Sequence, residues 1–575
     1  MPTNGSGHRP IWGWLAAAMI GGAILRLIGV AYGLPAVYNP DEVAIMNRAI
    51  GLGQNGFNPH NFLYPSLYFY ALFAWEGAWF VIGRATGVFA SLAAFERAFF
   101  TDPSSIYIAG RVLTALCGVL TIWATWRMGR RLGGRAAGVI AAALLAVSPL
   151  AVRDAHYVKH DVPVTWLIVL AHVLMAAEVQ QPLARRRWIW PAFVAGLAMS
   201  MHYYAIFLAL PLTLLILFPP TPWSGFRERL KDLMVAAAAA ALAFVLTSPF
   251  LALEPGTAIR DVLANRQIVV DRATASAGLF ASLGYYLSWL ARDGIGWMSA
   301  SLAIVGLWLA VKRGRTFAVL TLAFPVPFLL FIANTVPASR YLNPVVPFVC
   351  VLAAIAAADL MERSNSGRAV AALIVIGGLA QGLTDSVATD LFFRQADTRT
   401  MALGWIAQHV PPNSSILVQP YSVPLRQSPA ALREALTRHL GSADRASVKY
   451  QRQLALDPIP SPAYRPIFLG AGGLDVDKIY VAPSSFDEGI GLAPLRALAV
   501  THVVLKRYNV EDPSMAALSA ALRREGRLVA TFSPYRSDLD AAEMTRTSPF
   551  LHNGDARIVP ALERPGPIIE IWTID

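Results

Sequence analysis

Residues 106–150 read IYIAGRVLTALCGVLTIWATWRMGRRLGGRAAGVIAAALLAVSPL. Two apolar runs, 106–127 and 136–152, flank a basic stretch from Arg127 to Arg135. A membrane span needs about 20 apolar residues, and loops rich in Lys and Arg stay on the cytoplasmic side. The same alternation extends through most of the chain. Further apolar runs lie near 11–34, 66–86, 163–179, 233–252, 294–311, 316–334, 342–358 and 368–385. The run 188–218 is too long for one span and is interrupted by His202-Tyr203-Tyr204, so it reads as a hairpin of two short helices.

Composition agrees with this pattern. The chain has 575 residues, of which 55% are hydrophobic and 15% charged, with a mean hydropathy of +0.48. Soluble domains carry about 25% charge. The net charge of +12 falls in short clusters between apolar runs, which is the pattern of loop anchors and excludes a nucleic-acid face. Cys117 and Cys350 both sit in apolar runs, so neither a disulfide framework nor a metal-binding Cys/His spacing is present. The first run follows His8-Arg9 without a small-residue cleavage site and reads as an uncleaved span.

The basic clusters fix the orientation. They are Arg127 to Arg135, Arg185-Arg186-Arg187, Arg227 to Lys231, Lys312 to Arg315, and Glu362 to Arg368. If every run crosses, Arg127 to Arg135 lands outside while the amino terminus is inside. Laying 66–86 along the outer face makes all these clusters cytoplasmic. That run is aromatic and holds Glu76 and Arg84, as suits an interface. The expectation is about eleven spans plus outer juxtamembrane helices, with the amino terminus inside and the carboxyl terminus outside.

After residue 387 the pattern changes. Apolar runs shorten to strand length at Ile416 to Gln419, Val503 to Leu505, Leu528 to Phe532 and Ile568 to Ile574. Amphipathic stretches Met401 to His409 and Met515 to Arg524 lie between them. The chain therefore divides into an α-helical polytopic membrane domain, 1–387, and a soluble α/β domain, 388–575.

This map gathers polar residues outside. Asp41-Glu42 follows the first span, Arg153 to Asp161 follows the third, and Ser339-Arg340-Tyr341 lies late in the chain. His202 comes to the same level. A carboxylate at a membrane boundary is costly unless paired or functional. Asp41 or Glu42 could take a proton from an attacking hydroxyl, and Arg153, Lys159, His202 and Arg340 could balance a phosphate. A plainer reading makes Asn39-Pro40-Asp41-Glu42 a helix start. By the same reading Asp161 opens the next helix, and Arg153 and Lys159 are interfacial residues.

Four motif groups occur in order: Asn39-Pro40-Asp41-Glu42; Asn58-Pro59-His60 with Tyr64-Pro65-Ser66-Leu67-Tyr68; Ser148-Pro149 with His156-Tyr157 and Asp161-Val162-Pro163; and Arg340-Tyr341-Leu342-Asn343-Pro344. Over roughly 10–385 they resemble bacterial members of glycosyltransferase family 39, the GT-C-fold enzymes related to protein O-mannosyltransferases and to the aminoarabinose transferase of lipid A. The resemblance implies inverting transfer from a polyprenyl-phosphate sugar to a lipid, glycan or protein acceptor in a bacterial inner membrane. It implies no certain cofactor and leaves a divalent cation open.

By that likeness Asp41 is the base and Asp161 the second-loop aspartate, with Asp154 a weaker candidate. Arg340 and Tyr341 meet the carrier phosphate, with Arg153, Lys159, His202, His60 and Tyr64 as further donor-site residues. The chain departs from relatives in having Tyr64-Pro65 where aminoarabinose transferases carry a lysine. It has His202-Tyr203 where many have Lys-Tyr, and it lacks the inserted outer domain of the mannosyltransferases. The competing classes are a flippase or transporter of lipid-linked sugars, and a polysaccharide polymerase or oligosaccharyltransferase. No internal repeat favours the transporter.

Overall fold

The computed structural model describes residues 9–180, 188–220, 225–274, 278–473, 475–487, 489–510 and 512–574. The cluster Arg185-Arg186-Arg187 lies outside the described residues. The first helices are α1 (Arg9–Leu27), α2 (Pro40–Gly51), α3 (Leu67–Thr86), α4 (Leu92–Thr101), α5 (Ser104–Ala146), α6 (Pro149–Asp154) and α7 (Asp161–Gln180). Next come α8 (Ile189–Met201), α9 (Ala209–Leu217), α10 (Phe226–Thr247), α11 (Pro249–Leu253), α12 (Pro255–Thr274) and α13 (Leu279–Trp289). The helical part ends with α14 (Trp297–Lys312), α15 (Arg315–Leu322), α16 (Pro325–Ile332), α17 (Val346–Arg363) and α18 (Asn365–Phe393).

The two runs of the opening stretch form two helices that meet inside the range given as α5 and fold back on one another, so that a Cβ added at Gly129 would lie 3.2 Å from the Gly138 Cα. α5 is 43 residues long and breaks at Gly134, whose φ of 81° lies in the left-handed region that glycine enters without steric cost. α5 packs against α1, α7 and α17, and α17 also meets α14 and α18. α17 presents buried Ala353, Ala354, Ala356, Ala357 and Ala358, small residues that let backbones approach. At Gly306 of α14 an added Cβ would lie 2.1 Å from the Leu352 carbonyl oxygen, so any side chain there would push α14 off α17.

The expected count of eleven spans does not carry over as eleven long helices. Among the described residues five helices are long and apolar enough to cross a membrane, or six if the pair Leu279–Gly294 and Trp297–Lys312, bent by 116°, is one span. The other runs became shorter apolar helices, Trp12–Leu27, Ile189–Met201 and Tyr203–Leu217 among them, because turns and kinks divide them. α3, expected along the surface, is a full helix that is not among the span candidates.

The carboxyl-terminal part is a six-stranded sheet of β1 (Ser415–Val418), β2 (Arg465–Leu469), β3 (Ile479–Val481), β4 (Val500–Arg507), β5 (Gly526–Phe532) and β6 (Ile568–Ile574). The order is β3-β2-β1-β4-β6-β5; the first four strands run parallel and the last two pair antiparallel. Strand alternation gives each face its own core. Leu417, Ile467 and Val503 pack with Leu518 and Leu522 on one side, and Ile416, Val418 and Val504 pack with Ala402 and Ile406 of α19 (Thr398–His409) on the other. β2 and β3 were not expected from sequence, being short and flanked by prolines and glycines.

The two parts interlock. Tyr32, Tyr157, Phe392 and Phe393 from the helical part cluster with Tyr535 and Leu562 from the sheet domain. A strap, 550–556, reaches back from the sheet domain onto the helical loops. Arg153 Nη1 donates to Gly554 O at 2.9 Å, Ser339 N–H to Asn553 O at 2.9 Å, Trp289 Nε1 to Asp555 at 2.6 Å, and Ala556 N–H to Asp293 at 2.9 Å.

Candidate active site

The site begins with a capped helix. Asn39 Oδ1 accepts the Asp41 N–H at 3.1 Å, Pro40 fills the first helical position, and both carboxylates fall in the first turn of α2, where the helix dipole favours negative charge. Neighbouring residues on a helix point about 100° apart, and here that separates two roles.

Asp41 has 37% of its side chain exposed, at the wall of a cavity. Lys159 Nζ lies 3.1 Å from Asp41 Oδ2, and Arg340 Nη1 donates to the same oxygen. Burial opposes ionisation of Asp41, but the charges and hydrogen bonds of Lys159 and Arg340 outweigh it and hold the carboxyl well below the usual range.

Glu42 faces the other way, and the expectation of a second catalytic carboxylate is corrected. It is fully buried and takes Arg111 bidentately, Nε to Oε1 and Nη2 to Oε2, both at 2.9 Å. Its Oε1 also accepts the Val158 N–H at 2.9 Å. Glu42 therefore ties α2, α5 and the 155–160 loop together and reaches neither cavity.

Two cavities meet at Asp41, Arg340 and Tyr341, which line both. The smaller, about 50 Å³, is lined also by Arg48, Tyr64, Lys159, His160, Asp161 and His202. Three cations face it, against Asp41 and Asp161. Tyr64 stacks on His160 at 4.5 Å and meets His202 edge-on at 5.3 Å. Burial, and then the Arg340 charge, lower the His202 pKa to about 3, and burial drives His160 well below its ordinary value. Both histidines are therefore neutral at physiological pH and can offer only a neutral ring N–H. Burial also pushes the Tyr64 hydroxyl up to about 12.

The larger cavity, about 600 Å³, runs from Asp41 to the sheet domain. Tyr32, Tyr38, Tyr157 and Tyr341 line it from the helical part, with Arg399, Tyr421, Tyr508, Phe550 and His552 from beyond α18. It is aromatic, with Arg340 paired to Asp41 in its wall and Arg399 as its other arginine.

Of the residues expected at the site, Asp41, Asp161, Lys159, His202, Arg340, Tyr341 and Tyr64 come together. Arg153 does not. It is buried, paired with Asp154 at 2.8 Å, and bonded to Ser339 Oγ at 3.0 Å and to the strap. Asp154 in turn accepts from Asn343 at 2.6 Å. Both hold the Arg340 loop in place instead of facing the cavities. His60 is exposed in a turn at φ 51° and lines neither cavity. Arg48 was missed, although it follows Asp41 by two helical turns and so shares its face. Among the described residues no group of three or more His, Cys, Asp or Glu side chains could hold a metal ion.

Comparison with known proteins agrees with this architecture. Residues 100–252 match the family described as dolichyl-phosphate-mannose-protein mannosyltransferase. Over that stretch the chain resembles the protein mannosyltransferases. The resemblance read from the sequence motifs is thereby borne out. ArnT from Cupriavidus metallidurans bound to undecaprenyl phosphate superposes with a TM-score of 0.54 at 13% identity, over 97% of this chain and 98% of that one. The archaeal oligosaccharyltransferase AglB from Archaeoglobus fulgidus, in complex with an inhibitory peptide and a dolichol-phosphate, gives 0.53 at 11% identity, over 98% and 88%. No curated protein matches this chain in sequence. At such identities the likeness is one of fold, and it covers the sheet domain as well as the helices.

Proposed function

We propose that this chain moves a sugar from a polyprenyl-phosphate carrier to an acceptor hydroxyl on the extracytoplasmic face, by a single inverting displacement. The observation that carries the reading is the place of Asp41, in the wall between a cationic cavity and a large aromatic one. ArnT and AglB were each solved with a polyprenyl phosphate, and a lipid phosphate suits the small cavity. The isoprenoid tail has an apolar groove of about 360 Å³ between α8, α9 and α10, which begins at the turn after His202.

The resting Asp41 is a poor base, since two cations share one of its oxygens. A carrier phosphate competes for Lys159 and Arg340, and drawing them off returns Asp41 toward an ordinary carboxylate. Asp41 then takes the acceptor hydroxyl proton as the new oxygen–C1 bond forms. The C1–phosphate bond breaks on the opposite face, and the carrier leaves with the electron pair, its charge met by Arg48, Lys159 and Arg340. Asp161 sits beside them, where it can orient Arg340.

The test is the purified chain in lipid with a panel of polyprenyl-phosphate monosaccharides, scoring released carrier and extended product. Asp41→Asn is expected to lower transfer by about 10²–10⁴-fold without loss of folding. Full activity in that variant would remove Asp41 as base, and no carrier release from any donor would overturn the function. The AglB likeness supports a second reading, transfer of an oligomer, which mass analysis of the product separates. A topology reporter at residue 390 is expected outside, and one at 130 inside.

A further inference from the structure

The mechanism uses one end of the large cavity. The other end is built by the sheet domain, at the position where open α/β sheets hold ligands. From β1 the chain passes to β2 on one side, and after β3 it crosses to β4 on the other. Connections diverge outside the carboxyl ends of β1 and β4, and a crevice opens there.

Three features show that this crevice is built. Gln419, just past β1, donates its N–H to Val504 O at 3.0 Å and accepts the Lys506 N–H on Oε1 at 2.8 Å, which fixes the rim. The following turn throws Tyr421 outward at φ 64°, with 64% of the residue exposed. A bulky residue in that conformation is an outlier that persists where its surroundings hold it. Finally, the Lys506 ammonium lies 5.0 Å from the Tyr421 ring centre and 5.7 Å from that of Tyr508.

Charge then distinguishes the two basic residues at this end. Arg399 lies over Tyr38 at 3.9 Å, and its charge is met by Asp397 at 2.7 Å. Lys506 has no carboxylate within ion-pair distance among the described residues. Asp41 is the one carboxylate among the described residues lining the cavity, and it already holds two cations. Asp512 is the carboxylate whose field reaches Lys506, and it stands beyond ion-pair distance, so the ammonium is left without a direct counter-ion among the described residues. Tyrosine faces with hydroxyl tips suit a flat ligand carrying many hydroxyls.

We propose that the crevice at the carboxyl ends of β1 and β4 is the acceptor subsite and that it takes a saccharide bearing a carboxylate or phosphate. The sugar lies against Tyr421 and Tyr508 with its anion toward Lys506, and the hydroxyl to be modified reaches along the cavity toward Asp41. This rests on the reading of the chain as a glycosyltransferase.

The test is a ligand-observed NMR titration of the full chain in lipid nanodiscs with methyl β-D-glucuronide, glucose 6-phosphate and methyl β-D-glucoside. At least one anionic probe is expected to bind about tenfold more tightly than the neutral one. Lys506→Met is expected to erase that preference, and Tyr508→Leu to weaken all three probes. Undecaprenyl phosphate should not displace them, because its phosphate belongs in the other cavity. Preference for the glucuronide alone or the sugar phosphate alone names the anion. Equal binding, no binding, displacement by the carrier, or an unchanged preference in Lys506→Met overturns the proposal. Carrier release is measured alongside: release without preference sinks the acceptor subsite, and preference without release sinks the transfer reading.

Discussion

The two cavities that share Asp41 are built by different means. The small one draws every charged group from the helical part: Asp41, Arg48, Lys159, Asp161 and Arg340. The large one is closed by residues more than 350 positions after Asp41 in the chain, Arg399, Tyr421, Tyr508 and His552. One is compact and charged, the other roomy and aromatic. Under the proposed function, the contrast assigns the carrier phosphate to the helical part and the approach of the acceptor to the sheet domain.

The largest effect is expected at the adjacent pair Asp41-Glu42, where one carboxylate lines the cavities and the other ties the fold together. Glu42→Ala leaves the Arg111 guanidinium buried with no counter-charge. Breaking such a pair costs about 3–5 kcal/mol, so the variant is expected to unfold at markedly lower temperature and to accumulate poorly. Asp41→Asn is expected to melt close to wild type. Thermal unfolding of both variants in one detergent checks the contrast, and equal destabilisation would erase the distinction between them.

A smaller effect is expected at Lys159. It is buried with its ammonium 3.1 Å from Asp41, and under the proposed function the carrier phosphate competes with Asp41 for it. Lys159→Met is expected to raise the donor KM by about tenfold and to leave the acceptor KM nearly unchanged. A change confined to the acceptor would place Lys159 on the wrong side of the wall.

These residues also show how much of the site could be read from sequence. Asp41, Lys159, Asp161 and Arg340 stand in loops that follow or precede apolar runs, so a topology map alone brings them to one face. The map does not give side-chain direction. Arg153 lies between the same two spans as Lys159 yet turns inward to Asp154 and Gly554, because the strap offers it buried carbonyls. Glu42 was taken for a partner of Asp41 because adjacency in sequence says nothing of the 100° turn between them. The far wall was illegible for a different reason. Tyr421, Tyr508 and His552 belong to a sheet whose strand order comes from crossovers, and no periodicity encodes which strand ends face the membrane part. The span count suffered similarly, since hydropathy marks apolar runs but not the breaks, such as Gly134, that divide or join them.

The smallest effect concerns His202, and it tests whether the small cavity binds phosphate with fixed cations or with a titrating one. Burial and the nearby Arg340 lower its pKa from the ordinary 6.5 to about 3. The folded protein therefore holds His202 neutral, while the unfolded chain takes up a proton as pH falls below 6.5. The unfolded state binds more protons across that window, so stability is full above pH 6.5 and declines as the pH drops toward 3. His202→Asn keeps an acceptor near the Nδ1 position that receives the Tyr204 N–H, and it removes the titration. Its melting temperature should fall less steeply with acid than that of wild type. The remaining slope reports the other depressed groups, among them His156, His160 and His552, which burial also keeps neutral, and Asp41, which Lys159 and Arg340 hold ionised. If His202 were instead a cationic phosphate ligand, its pKa would be raised, donor affinity would increase on acidification, and the Asn variant would lose that increase. A donor KM that is flat between pH 6 and 8 in both proteins, together with the shallower melting slope, would assign the phosphate to Arg48, Lys159 and Arg340 and leave His202 as a neutral wall.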